Sequence, residues 1–233
     1  FSTLVFVSGI PDDISIHDRH LIELFLRNVQ VAYDNILLNM DIESTQCEVV
    51  YRLGYALESR SKESGNHLKR VALCSALLGE LYGLNEQEVR ILKLASPLHD
   101  VGKIAIPDDI LNNSNKLTPE QFSVMKTHAQ IGHDLLHDST RPILQAGAAI
   151  ALSHHERWDG SGYPKELFGF DIDVYGRIVS LVDVFDALYN KRCYKPAFEL
   201  SECLEHIQNN SGIGFEPVLV AIFIKHQAEF VAI

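Results

Sequence analysis

Five histidines and three carboxylates in this sequence stand where polar side chains meet apolar neighbours. Glu63 and His67 are four residues apart and so share one helical face, with Arg70 one turn on. His99 and Asp100 are adjacent, and Lys103 follows a turn later. His128 falls within a helix expected to begin at Thr118, His154 and His155 precede Glu156, and Asp183 lies in the apolar stretch 178–188. Any one of these alone is commonly a satisfied or exposed polar residue. As a set they would be expensive to bury without partners, and divalent metal ions are the partner that imidazole and carboxylate donors share. Mixed nitrogen and oxygen ligands suit Fe, Mn, Co, Ni or Zn. The absence of thiolates from the set speaks against a structural zinc site.

The elements that must position these donors read as helices. Residues 17–60 carry apolar side chains near the helical period, among them Leu21, Leu24, Phe25, Val29, Ile36, Leu53 and Leu57. Polar Asn39, Glu43 and Gln46 make the run too loose for a strict heptad coiled coil. A connector helix of this length at a domain edge is expected to pair with its copy in a homodimer, packing on its own domain being the other reading. From residue 63 helix follows helix. Gly83 ends one, Asn85-x-x-Glu88 opens the next as a capping box, and Thr118-Pro119-Glu120-Gln121 places a cap, an N1 proline and a Gln at N3. Two long loops are expected at 107–118 and 159–176. With no alternating strand pattern after residue 16, the expected fold is all-α. Residues 1–16 are read as the remnant of an upstream domain, 17–60 as the connector helix and 61–233 as the catalytic domain.

Bulk composition narrows the functions available. The 233 residues are 46% hydrophobic with formal net charge −11, enough to build a core and the wrong sign for a nucleic-acid coat or a polybasic membrane binder. An anionic substrate stays possible, because bound metal ions dominate the charge of their own site. Cys47, Cys74, Cys193 and Cys203 form no CxxC pair and read as idle thiols in a reducing cytoplasm. No apolar run approaches the ~18 residues of a membrane span, and no signal peptide is seen. The start without Met, on Leu4-Val5-Phe6-Val7, suggests a piece of a longer protein.

His99-Asp100 with Lys103 resembles the signature of the HD phosphohydrolase superfamily. Gly162-Tyr163-Pro164, within the stretch HHERWDGSGYP, makes the resemblance specific to the HD-GYP family, bacterial enzymes that degrade cyclic di-GMP. It extends over about residues 60–230, through His67-x-x-Arg70, Ile106-Pro107-Asp108-x-Ile110-Leu111, Asp183-x-x-Asp186-Ala187-Leu188 and Arg192-x-Tyr194-Lys195. The segment from Leu4 to Glu23 is similar to the end of a sensor-like domain that stands between a receiver domain and HD-GYP in some response regulators.

The resemblance implies an HD-type helical bundle with metal ligands at Glu63, His67, His99, Asp100, His128, His154, His155 and Asp183. Asp100 would bridge two ions, and Glu63 goes with a third. Two or three divalent ions are implied, Fe or Mn first, with Ni, Co, Zn or Mg as alternatives. Asp100 and Lys103 are the implied catalytic residues, the lysine on the scissile phosphate. Arg192 and Lys195 would clamp the substrate, and Gly162 and Tyr163 would line the pocket, although Tyr163 could equally hold its own turn. Trp158 reads as a buried anchor for the loop. The implied reaction is hydrolysis of cyclic di-GMP to pGpG or GMP in the cytoplasm. Turnover of 3′,3′-cyclic GMP-AMP, or binding without turnover as a receptor, are the alternatives. The sequence departs from the family at residues 112–115, at Cys193, and at Lys165-Glu166, where a basic-Gly pair is usual.

Overall fold

A computed structural model describes residues 15–61, 66–113, 115–190 and 198–233. It is helical throughout, and the described residues hold no strand beyond two isolated bridges, Asp159–Phe168 and Ser211–Phe215. The helices are α1 (Ile16–Ser61), α2 (Asn66–Tyr82), α3 (Glu86–Ala95), α4 (Asp108–Leu111), α5 (Pro119–Leu136), α6 (Pro142–Ser153), α7 (Val174–Tyr189), α8 (Leu200–Asn209), α9 (Pro217–Lys225) and α10 (Gln227–Val231).

The chain divides into two compact units at Val49–Val50. In the first, α1 exposes Leu21, Leu24, Phe25, Val29 and Ile36. The last turns of α1, after residue 49, belong instead to the helical unit, where Val50 and Glu58 are buried.

Capping chemistry sets the helix ends. Asn85 and Glu88 exchange the two hydrogen bonds of a capping box at α3, and Thr118 and Gln121 do so at α5. Gly83, with φ of +103°, turns the chain out of α2 while the Leu84 N–H donates back to the Gly79 carbonyl. Two stretches expected as loops are partly helical. The 107–118 stretch contains α4, whose Asp108 and Asp109 suit a helix start. The 159–176 stretch contains a 3₁₀ turn, Gly169–Asp171, and the start of α7. The core is formed by α2, α3, α6, α7 and α9, with Val71, Leu78, Leu92, Ile150, Ile178, Leu181, Leu219 and Phe223 wholly buried. It fixes the relative positions of the helices that carry His67, His154 and Asp183.

Candidate metal centre

His67 is the second residue of α2, and Asp183 lies on α7. His99 and Asp100 sit between two 3₁₀ turns, Ser96–Leu98 and Val101–Ala105, just beyond the end of α3. His128 is on α5, His154 caps the C-terminus of α6, and His155 follows it. Gly102 explains how the turn reaches α5. A Cβ there would collide with the His128 carbonyl oxygen and the Gly132 nitrogen, so backbone packs on backbone and Asp100 arrives beside His128.

The donors fall into two groups, each with its donor atoms within 4.8 Å of one another. One is His67, His99 and Asp183; the other is Asp100, His128, His154 and His155. Asp100 faces both: Oδ2 is 3.2 Å from His99 Nε2, while Oδ1 is 3.4 Å from His128 Nε2 and 3.7 Å from His154 Nε2. On the other side His67 Nε2 is 3.5 Å from Asp183 Oδ1. A third cluster, His133, Asp134 and His137, lies on the outer part of α5 and is largely exposed.

Three of the rings are held through Nδ1 by backbone carbonyls. His99 Nδ1 meets the Ser96 carbonyl at 2.9 Å, His128 Nδ1 the Met125 carbonyl at 2.7 Å, and His154 Nδ1 the Ile150 carbonyl at 3.0 Å. An Nδ1–H donated to oxygen leaves the Nε2 lone pair facing the centre, the arrangement usual for metal-bound histidine. The Nε2 atoms of His99, His128 and His154, and Asp100 Oδ1, are buried without a hydrogen-bond partner. Orphaned buried acceptors converging on one point fit a metal cation, which no protein donor there replaces.

Charge supports the ligand forms of His128, His155 and Asp100, while at His99 a cation would have to take the place of a proton. Burial, reinforced by the neighbouring histidines, drives the His155 pKa well below the usual histidine range. Burial is also the main cause that lowers His128 to about 4, so both rings are neutral donors at pH 7. For Asp100, burial opposes ionisation, but Lys103 and His99 outweigh it and hold the carboxyl well below its usual range. Burial likewise opposes protonation of His99, and the Asp100 charge overcomes it, raising His99 to about 9.

The surrounding residues hold this arrangement. Asp186, 5% exposed, accepts from His67 Nδ1 at 2.6 Å and from Arg70 Nη2 at 3.0 Å. Lys103 Nζ lies 2.6 Å from Asp100 Oδ2. Lys103, Asp100 and Asp183 keep 21%, 19% and 20% of their side chains exposed, so the centre is open to a ligand on that side. The Tyr163 ring stacks on His155 at 4.8 Å and its N–H donates to the His155 carbonyl, so it is packed against the donors. Gly162 packs on the backbone of Glu156 and Arg157, where a Cβ would collide. Trp158, expected to be buried, is only half-buried, and meets Phe170 edge to face at 5.0 Å.

At the Lys165-Glu166 departure the backbone records the missing glycine, for Glu166 has φ of +54°. That left-handed conformation costs an L-residue roughly 1–2 kcal/mol. Buried Glu156 holds it from both sides, accepting the Lys165 N–H at 2.7 Å and the Leu167 N–H at 3.0 Å. Glu63, Arg192, Cys193 and Lys195 lie outside the described residues. Two residues assigned no role from the sequence stand beside the donors, Glu58 and Asp186, and a third, Glu156, holds the turn that follows them. The second had a signal, one turn beyond Asp183.

Residues 53–219 match the HD domain family. The chain belongs to that family and carries the Gly162-Tyr163-Pro164 signature of its HD-GYP branch. Among curated relatives it is 44% identical over 225 residues to 3′3′-cGAMP-specific phosphodiesterase 2 of Vibrio cholerae, covering 97% of this chain and 43% of that protein. It is 43% identical over 189 residues to the cyclic di-GMP phosphodiesterase response regulator RpfG of Xanthomonas campestris, covering 81% and 50%. Its fold is similar to the crystal structure of the V. cholerae cyclic GMP-AMP phosphodiesterase V-cGAP3, with TM-score 0.60 at 21% identity, covering 80% of this chain and 50% of that one. The chain thus spans about half the length of the curated relatives it matches.

Proposed function

We propose that this chain is a metal-dependent phosphodiesterase domain that hydrolyses cyclic di-GMP to pGpG or GMP in bacterial second-messenger signalling. The observation that carries the reading is the convergence of three buried, unbonded Nε2 atoms on Asp100, whose two oxygens face separate donor groups. Asp100, His128, His154 and His155 would hold one divalent ion, and His67, His99 and Asp183 a second, with Asp100 between them. Glu63 would serve a third. Iron or manganese suits the donors. When bound, such ions acidify water and neutralise charge on phosphoryl oxygens.

The chain's own residues supply the rest. Lys103 places its ammonium beside Asp100 at the exposed edge, where it can bind a phosphate oxygen and donate a proton to the departing ribose oxygen. Arg192 suits bidentate contact with the second phosphate, Lys195 supports it, and Tyr163 and Gly162 shape the border of the opening. The exposed apolar side chains of α1 support pairing of two copies through that helix. A receiver or sensor domain upstream and a cytoplasmic setting complete the reading.

The second reading is 3′,3′-cyclic GMP-AMP as substrate. The cGAMP-specific relative favours it, being similar over 97% of this chain. The test is product analysis: protein loaded with iron or manganese, without oxygen, is incubated with each dinucleotide. Linear pGpG or GMP supports the first reading, and cleavage of the mixed dinucleotide alone the second. No cleavage of either removes the enzyme.

A further inference from the structure

We infer that the outer face of α5 carries a further metal site, in which His133, Asp134 and His137 hold one divalent ion of the zinc and nickel kind. Each of the three side chains brings a donor atom within 4.8 Å of the other two, and none of them belongs to the buried centre. His133 and His137 are four residues apart, and the His137 N–H donates to the His133 carbonyl at 2.9 Å. The turn between them is therefore closed, and both rings leave one face of the helix. The rings lie nearly parallel, with 12° between their planes and 5.0 Å between centroids. Two histidines at this spacing on a helix form a pair that chelates zinc when further donors complete the set. Asp134 is such a donor. Its Oδ1 is 3.0 Å from His133 Nδ1 and is steadied by the Gln130 amide, which donates to it at 2.7 Å.

A second observation concerns His137 alone. It has an oxygen at both ring nitrogens, the Asp134 carbonyl 3.1 Å from Nδ1 and Asp138 Oδ1 2.9 Å from Nε2. A neutral imidazole carries a single N–H, so in either tautomer one nitrogen lone pair faces an oxygen lone pair. A proton or a metal ion removes that repulsion. The surroundings favour the ion. Two carboxylates, a second imidazole and the negative end of the α5 dipole gather at this turn, and a divalent charge draws on all of them. The His133 and His137 side chains are 28% and 45% exposed, so an ion can enter from solvent and the rings can turn to meet it. Imidazole nitrogen selects zinc, nickel or copper over magnesium or calcium. Because the pair converges only while the turn is helical, binding stabilises the end of the helix that carries His128.

The test reads each histidine separately. Wild-type protein is titrated with zinc up to its solubility limit and labelled with diethyl pyrocarbonate, which acylates free imidazole nitrogen; the label is located by mass spectrometry. His133 and His137 are expected to become protected together, with one midpoint, while exposed His206 keeps its label. Unchanged labelling of the pair throughout the titration overturns the inference. So does protection of one ring without the other, or equal protection of His206, which marks non-specific binding. The second arm counts zinc by equilibrium dialysis. His133→Gln with His137→Gln should bind about one ion fewer per chain than wild type. An equal count overturns the site. The labelling arm needs no variant, so a folding defect in the double substitution leaves it decisive. Neither arm depends on dinucleotide cleavage, and failure of the proposed function leaves both standing.

Discussion

His67 and His128 offer the same Nε2 atom to the centre, but they are held in opposite ways. His128, like His154, is fixed by a carbonyl three or four residues back on its own helix. His67 is fixed by Asp186, 119 residues away, which Arg70 in turn restrains. The first arrangement comes with the helix and survives whatever happens elsewhere. The second needs three side chains from two helices to agree. The Asp100/His128/His154/His155 side is therefore the preset half of the centre, and the His67/His99/Asp183 side, where His99 has a local carbonyl but His67 does not, is the adjustable half.

The largest effect should come from erasing what the halves share. His99→Ala with Asp100→Ala takes a ligand from one half and the linking carboxylate from both. Turnover should fall below detection and metal content should drop, as measured by elemental analysis. Near-normal activity would place the chemistry elsewhere.

Asp186→Asn separates the halves. Outer-shell partners of a metal-bound histidine are worth about 10–100-fold in affinity. Metal titration should show one class of site weakened by that factor and the other unmoved; equal weakening of both would erase the distinction. The same variant has a pH signature. Burial raises the Asp186 pKa, but hydrogen bonds from His67 and Arg70 outweigh it and the carboxyl titrates below its usual value. Its stabilising contribution is then full above the unfolded aspartate value, about 3.9, and is lost as the pH falls through the folded one. The Tm gap between metal-free wild type and Asp186→Asn should shrink as the solution is acidified below about pH 4.

The smallest effect lies in the turn held by Glu156, just after the preset half's His155. Glu166→Gly relieves the left-handed strain but gives back some chain entropy, for a net gain of about 0.5 kcal/mol in a denaturant melt. Metal content should not change. A loss of stability would mean that the Glu166 side chain supports the turn in a way its φ does not reveal.

The preset half was largely legible in the sequence because its supports are local. The Thr118 and Gln121 cap locates α5, and spacing then puts His128 well inside it. Asp186 was visible as part of a pattern, but its task was not, since only the fold brings α7 to α2. Glu58 was hidden for the same reason. Read along the chain it is one polar residue on a connector helix, nine positions from the nearest donor histidine. Its burial depends on Gly54 letting two helices touch, which no periodicity reports. The two stretches read as loops, 107–118 and 159–176, hid short helical turns because Pro, Gly and Asn mark chain reversals without saying how tightly the chain winds between them.

The contact at Gly102 bears on which ions the protein can take. Two peptide groups already touching cannot move closer, and no side chain stands between them to swing aside. The gap between Asp100 and His128 is thus a gauge set by backbone radii. An ion of larger radius would have to be accommodated on the far side, where His67 is tied through Asp186 on another helix. Any tolerance for different metals would then lie with α2 and α7, while α5 keeps the scale.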